Sequence, residues 1–441
     1  MGQKMSMELT IEMQWERLSE GTPEERACFG MLRFLNNGIF LSEGIDGFVN
    51  CSRQGPLVSG YPLAEWLAWN WWRLTGEPKR EHTTHDWSFA HRLCTIGEGY
   101  LWPNITIFSD RERTLLIAKP TQPKGFSAFR FTTDHTLVLP SRVFEAALEL
   151  FLGQIQGRLR EYAIPETHFD RAWEDVCFER RDSKLVARRR IEALLGVDPD
   201  EGNPARVEQL LADAKPLGPD AVQELAANQV PEKDCPTAAV LRALAERQGS
   251  EAKSKDRVQL DTRGLPPCEQ IPAWQRGYLA ADALRKQQRL DCEPLSNRQL
   301  AEMCGVSEEV LGWKASTEQP GLSFSLESEN GATERIVLRS KWETSRRFNL
   351  ARLLGDKLIS GFSEPLSPAT DAFTYRQKLQ RAFAAELLCP FEALEEMLKG
   401  DYSSEAREDA ASYFKVSERT ITTLLVNRNR LDRDFLEYEA A

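Results

Sequence analysis

Residues 345–358 read SRRFNLARLLGDKL, and residues 376–390 read RQKLQRAFAAELLCP. Both are read as helices, and they set the character of the C-terminal third. Ahead of them, FSLESENGATERIVL (324–338) reads as a β-hairpin, with Asn330–Gly331 as a turn pair that accepts positive φ. A hairpin feeding a run of helices, with mixed segments upstream, predicts an α+β chain.

Working outward, helices are expected over 272–289 and 296–313. The second of these regions, LSNRQLAEMCGVSEEVLGW (295–313), has helix-turn-helix character: Ser296 as N-cap, Ala301 for close packing, Gly305 in the turn and Ser307 capping a second helix. The polar run RQGSEAKSKDRVQLDTRGLPP (247–267) is low in hydrophobicity and is predicted to be a linker. Residues 161–246 read as helical, punctuated by Pro199, Pro204, Pro216 and Pro219.

The N-terminal part reads as mixed α/β. Short strands are expected at 39–41 and 48–50, and one helix from Pro62 to about Gly76. Leu63, Trp66, Leu67, Trp71 and Leu74 form one face of that helix, with Trp69 and Trp72 on the other, so it should be buried or covered. A hairpin is expected at 105–108 and 115–118, strands around Phe129, Phe131, Leu137 and Leu139, and a helix from Ser141. The expected organisation is a Trp-rich mixed domain at 1–160, a helical region at 161–246, the linker at 247–267, a helix-turn-helix-like region at 268–318, and a last domain at 319–441.

The totals narrow the function classes. A chain of 441 residues exceeds a single core, and a net charge of −11 argues against a general nucleic-acid binder. No stretch reaches the length of a membrane helix, and the N-terminus has no apolar signal region, so a cytoplasmic protein with no membrane partner is expected. Nine cysteines without a CxxC pair read as reduced thiols.

The two quoted helices resemble the ImmA/IrrE family of zinc peptidases, whose core reads RFxLAHELGHxL followed by ExxANxFAAELLMP. Phe348, Leu350, Ala351, Leu354, Gly355 and Leu358 match the first framework; Ala382, Phe383, Ala384, Ala385, Glu386, Leu387, Leu388 and Pro390 match the second. The segment AASYFKVSERTITTLLVNR (410–428) is similar to the helical pair that ends the family's domain. The resemblance spans about 319–430, roughly a quarter of the chain, and more loosely the whole layout resembles larger bacterial members with a Trp-rich N-terminal domain.

The family's chemistry needs two His at i and i+4, which aim both imidazoles at one zinc, and a Glu beside the first to polarise the bound water. In this chain the His positions hold Arg352 and Asp356, the Glu position holds Leu353, and the third ligand falls near Gln377 or Leu379. No His follows His168. What the resemblance implies is a domain with no metal, no cofactor and no catalysis. Arg352 and Asp356, one turn apart, are expected to pair across the vacated position and to line a cleft for a protein partner. The family's active members cleave repressors in bacterial mobile elements and stress responses, so a regulatory or antiviral-defence role follows by analogy alone.

Two other readings stand beside this one. A DNA-binding regulator could use the C-terminal helices, with Arg419, Thr420, Thr423, Asn427, Arg428 and Arg430 as candidate contacts. An enzyme could place its site in the N-terminal domain around His85 and His91. With His82 these two are the candidates for a metal, in the spacing H-x2-H-x5-H. The sequence leaves the oligomeric state open.

Overall fold

Ile11 and Met13 are buried while Thr10 and Glu12 are half-covered, the period-two signature of a strand with one face on a core. They lie in a computed structural model that describes residues 8–80, 83–123, 125–229, 235–290, 292–312, 321–328, 331, 333–359 and 364–432. The architecture is mixed α+β and forms two compact units, 1–207 and 208–441.

In the first unit β1 (Thr10–Trp15) pairs antiparallel with β2 (Phe29–Asn36). Along the chain follow β3 (Ile39–Phe40), β4 (Gly44–Asp46), β5 (Cys51–Arg53) and β6 (Leu57–Ser59), and β2 also pairs with β3 and β6. Next come β7 (Ile105–Ser109), β8 (Arg113–Ala118), β9 (Phe129–Phe131) and β10 (His135–Pro140), which complete antiparallel sheets ordered β5-β4-β9 and β10-β8-β7. The helices are α1 (Pro23–Ala27), α2 (Gly60–Trp69), α3 (Trp71–Gly76), α4 (His85–His91), α5 (Ser141–Glu161), α6 (His168–Glu179) and α7 (Ser183–Leu195). On α5 the residues Phe144, Leu148, Phe151, Leu152, Ile155 and Leu159 are buried, as their helical spacing predicts.

Two local expectations fail here. Residues 48–50 form a turn between β4 and β5, because the Asp46 carboxylate accepts the Phe48 N–H at 2.9 Å and reverses the chain. The helix expected from Pro62 starts at Gly60, capped by Ser59, and breaks at Asn70 into α2 and α3. The Asn70 side chain donates to the Trp66 carbonyl at 2.9 Å, a local bond of the kind that competes with helix continuation. The break leaves Trp69 61% exposed, whereas Trp72 is buried and donates to Glu179 at 2.6 Å.

The second unit contains α8 (Pro204–Leu217), within which the boundary falls, then α9 (Pro219–Ala227), α10 (Ala238–Gln248), β11 (Ser250–Lys253), α11 (Ala273–Gln287) and α12 (Asn297–Cys304). The hairpin is β12 (Ser323–Glu327) and β13 (Thr333–Val337); Asn330 of its expected turn lies outside the described residues. Then follow α13 (Glu343–Ile359), β14 (Leu366–Ala369), α14 (Tyr375–Leu388), α15 (Phe391–Leu398), α16 (Ser404–Phe414) and α17 (Glu418–Asn427). The sheet is antiparallel in the order β11-β13-β12-β14, and α13 packs on α14.

The expected linker at 247–267 is corrected by β11. Ser250–Lys253 pairs with β13, Ala252 is fully buried, and the Lys253 and Val258 N–H groups donate to Gly305 and Met303 carbonyls at 3.0 Å. One small inward residue is enough to seat a short edge strand, and composition alone does not register it. Among the described residues no helix is long and apolar enough to cross a membrane.

Candidate functional site

Helix α13 turns Arg352 and Asp356 to the same side, one turn apart, toward α14 and the end of β14. Gly355 makes this approach possible, since a Cβ there would sit 2.5 Å from the Phe383 ring on α14. Both charged residues are buried, at 3% and 1% exposure.

They do not pair with each other. Arg352 Nη2 donates to the Thr370 carbonyl at 2.5 Å and to Gln377 Oε1 at 2.7 Å, and Nη1 reaches Asn349 Oδ1 at 3.4 Å. Gln377, fully buried, also accepts the Thr370 N–H at 2.9 Å and donates to the Pro368 carbonyl at 3.0 Å. Asp356 is instead gripped by Arg376 of α14, whose Nε and Nη2 donate to its two oxygens at 2.7 and 2.6 Å. This two-pronged geometry is the strongest form of such a pair, and a buried carboxylate requires it. Arg376 Nη1 continues to Glu364 at 3.3 Å, and Glu364 accepts the Asp220 and Ala221 N–H groups at the start of α9 at 2.8 and 3.0 Å.

The electrostatics follow the geometry. Burial alone would push the Asp356 carboxyl up, but the charge and bonds of Arg376 hold it below the usual carboxylate range. Burial, followed by the nearby Arg381 charge, pushes Arg352 down to about 9, so it stays protonated at neutral pH. Arg352 Nε finds no acceptor among the described residues. Leu353, at the position the resemblance gives to a base, faces a void of about 10 Å³ beside Cys304, Glu334 and Ile336. Leu379, the alternative third-ligand position, is buried core. Among the described residues no group of three His, Cys, Asp or Glu could hold a metal.

The expected partner cleft lined by Arg352 and Asp356 is therefore not an open one. Every strong donor and acceptor there turns inward, to α14 or the β14 end. The sequence reading missed Arg376, although it stands beside Gln377 in the quoted stretch. The available signal was an arginine adjacent to a ligand position, offering a mate for Asp356 from the opposing helix.

The DNA candidates are also largely committed to the fold. Arg428 stacks 3.8 Å from the Tyr278 ring centroid and 4.9 Å from that of Phe391, and Arg430 bonds Glu395 at 2.5 Å. Thr420 is buried in its own cap with Ser417, and Thr423 donates to the Arg419 carbonyl at 2.7 Å. Asn427 is half-buried at the end of α17, and of the six candidates Arg419, at its start, and Arg430 are exposed. In the earlier helix-turn-helix-like segment the caps at Ser296 and Ser307 form, and Gly305 takes φ 66°. Its second helix, however, is one 3₁₀ turn at Glu308–Leu311, too short to enter a major groove.

Among the described residues the histidines do not converge on a metal. His82 lies outside the described residues, and His85 is exposed at the first turn of α4. His91 is fully buried, with Nδ1 2.7 Å from the Ile107 carbonyl and Nε2 2.9 Å from Glu77 Oε2, so both ring nitrogens are occupied. Comparison with protein-family models, curated proteins and solved structures found no match for the chain.

Proposed function

We propose that this chain is a non-catalytic regulatory module that binds or senses another protein, built on an ImmA/IrrE-like framework whose metal site has been replaced by a hydrogen-bonded plug. The contact between Arg352 and Gln377, at 2.7 Å, carries the reading. The resemblance assigns these positions, 25 residues apart, to ligands of one metal, and α13 and α14 bring them together. Arg cannot ligate zinc, being a permanent donor, and Asp356 is already neutralised by Arg376. A bacterial regulatory setting, in mobile-element control or antiviral defence, rests on the resemblance.

The test has two arms. The purified protein should carry no stoichiometric zinc, and a chelator should leave its melting temperature unchanged, because no metal binding is coupled to folding. The quadruple variant Arg352→His, Leu353→Glu, Asp356→His, Gln377→Glu should then acquire about one zinc per chain if the framework is a zincin's. Stoichiometric zinc or peptidase activity in the wild type overturns the reading. A folded quadruple variant that ignores zinc overturns the assignment of positions.

A further inference from the structure

In the N-terminal unit one buried arginine is shared by three carboxylates. Arg73, 2% exposed, has Nε 2.8 Å from Glu77 Oε2, and its Nη1 lies 3.0 Å from Asp86 Oδ2 and 3.3 Å from Asp198 Oδ1. Among the described residues no lysine and no other arginine pairs with these three acids, and the nearby Arg80 donates to the Leu194 carbonyl instead. Glu77 is buried with His91, but Asp86 and Asp198 remain 65% and 41% exposed. Both acids line a cavity of about 220 Å³ that Trp66, Phe89, Ile96 and Arg73 itself also wall, so one guanidinium already stands there against the two acids and Glu77.

We propose that this cavity binds a guanidinium or ammonium group carried on an apolar stem, with Asp86 and Asp198 as its counter-ions and the Trp66 and Phe89 rings about the stem. Charge selects the ligand class. An anion would meet two carboxylates already short of positive charge, and a neutral apolar group would desolvate them without compensation. A cation gains from both acids and from the aromatic faces. Size points the same way, because the volume lies below the range of about 300–1,000 Å³ that holds drug-sized ligands and suits one side-chain-sized group. The same chemistry is offered by a free amine and by an arginine or lysine side chain of a peptide.

The full-length protein would be titrated calorimetrically with agmatine, with the blocked peptide acetyl-Gly-Arg-Gly-amide, and with the same peptide carrying citrulline, the uncharged isostere of arginine. At least one of the charged ligands should saturate, bind about tenfold or more tighter than the citrulline peptide, and weaken as salt is added. The tighter of the two identifies the source. Asp86→Asn, Asp198→Asn and Phe89→Ala should each weaken binding about fivefold, and melting curves should confirm that each variant is folded. Equal affinity for the citrulline peptide, no saturable binding of either cation, or full affinity in the two folded Asp→Asn variants would overturn the proposal.

Discussion

Asp356 and Arg376 show how burial changes the worth of an ion pair. On an exposed helix an Arg and an Asp one turn apart contribute a few tenths of a kcal/mol, but here the acid is buried and its mate comes from the opposing helix. Asp356→Ala, which takes the two-pronged mate away from the buried Arg376 and leaves it the weaker attraction of Glu224 and Glu364, should cost about 3–5 kcal/mol in denaturant unfolding. Arg352→Met should cost clearly less, because it removes a buried charge that has no carboxylate mate, and Gln377 keeps its Thr370 and Pro368 bonds. Equal losses would mean that Arg352 holds α13 and α14 together as firmly as the Asp356 pair does. Glu386 gives a second residue-scale test, through pH. Burial pushes its carboxyl up from the usual 4.5 to about 7, although Oε1 accepts the Phe391 N–H at 3.1 Å and Arg428 stands 4.0 Å from Oε2. A raised carboxyl favours the folded state fully below its unfolded pKa, and that contribution is lost as pH rises through the folded value. Wild type should therefore lose stability between pH 4.5 and 7, by at most about 3 kcal/mol from this group. Glu386→Gln should melt higher than wild type at pH 8, with the difference shrinking toward pH 5. Parallel melting profiles for the two proteins would show that Glu386 is ionised in the folded state at neutral pH like any surface acid.

Helix packing supplies a test at the scale of elements, because two glycines of similar propensity meet different surroundings. A Cβ on Gly277 of α11 would lie 2.5 Å from the Leu379 carbonyl and 2.9 Å from Ala382 Cβ, where α11 crosses α14. Gly153 on α5 has nothing within 4 Å. Gly277→Ala should destabilise by about 1–3 kcal/mol, because overpacking exceeds the roughly 1 kcal/mol gain in helix propensity, whereas Gly153→Ala should stabilise by a few tenths or more. Thermal melts of the two variants decide it, and a stabilised Gly277→Ala would mean that the helices can separate. The same elements show what was legible in the sequence. The 324–338 hairpin, the 105–118 hairpin and α5 were readable, because period-two and period-3.6 patterns report burial on one face. The break at Asn70, the strand β11 and the 3₁₀ turn at 308–311 were not, because each depends on one local bond or one inward residue. Likewise, Arg352, Asp356 and Gln377 could be singled out from the resemblance, whereas the sequence offered for Arg376 only its place beside Gln377, and for Glu364 nothing. Their role exists only once α13, α14 and the start of α9 are assembled.

At the scale of the whole chain, the position of the unit boundary makes a prediction that composition would place elsewhere. The polar run at 247–267 looks like the seam, yet its residues 250–258 are bonded to β13 and to the end of α12, and Ala252 is fully buried. Cutting there removes a strand from the second unit's sheet. It also strips away α9, which receives Glu364, and α10. The contact boundary lies near 207, just inside α8, and residues 199–203 immediately before that helix form an exposed turn. Dividing at 203/204 keeps α8 whole and leaves Asp198 and Asp200 with their partners Arg73 and Arg189. Fragments 1–203 and 204–441 should each unfold cooperatively when expressed alone, as units with their own cores do. Fragment 268–441, which begins after the polar run, should fail to give a cooperative transition, because the edge of β13 that pairs with β11 and the Glu364 carboxylate that accepts from α9 would be missing their partners. Limited proteolysis of the intact protein should cut first at 199–203, with 250–256 protected. A first cut at 250–256, together with a cooperatively folding 268–441, would move the boundary to the polar run and make β11 a dispensable strand.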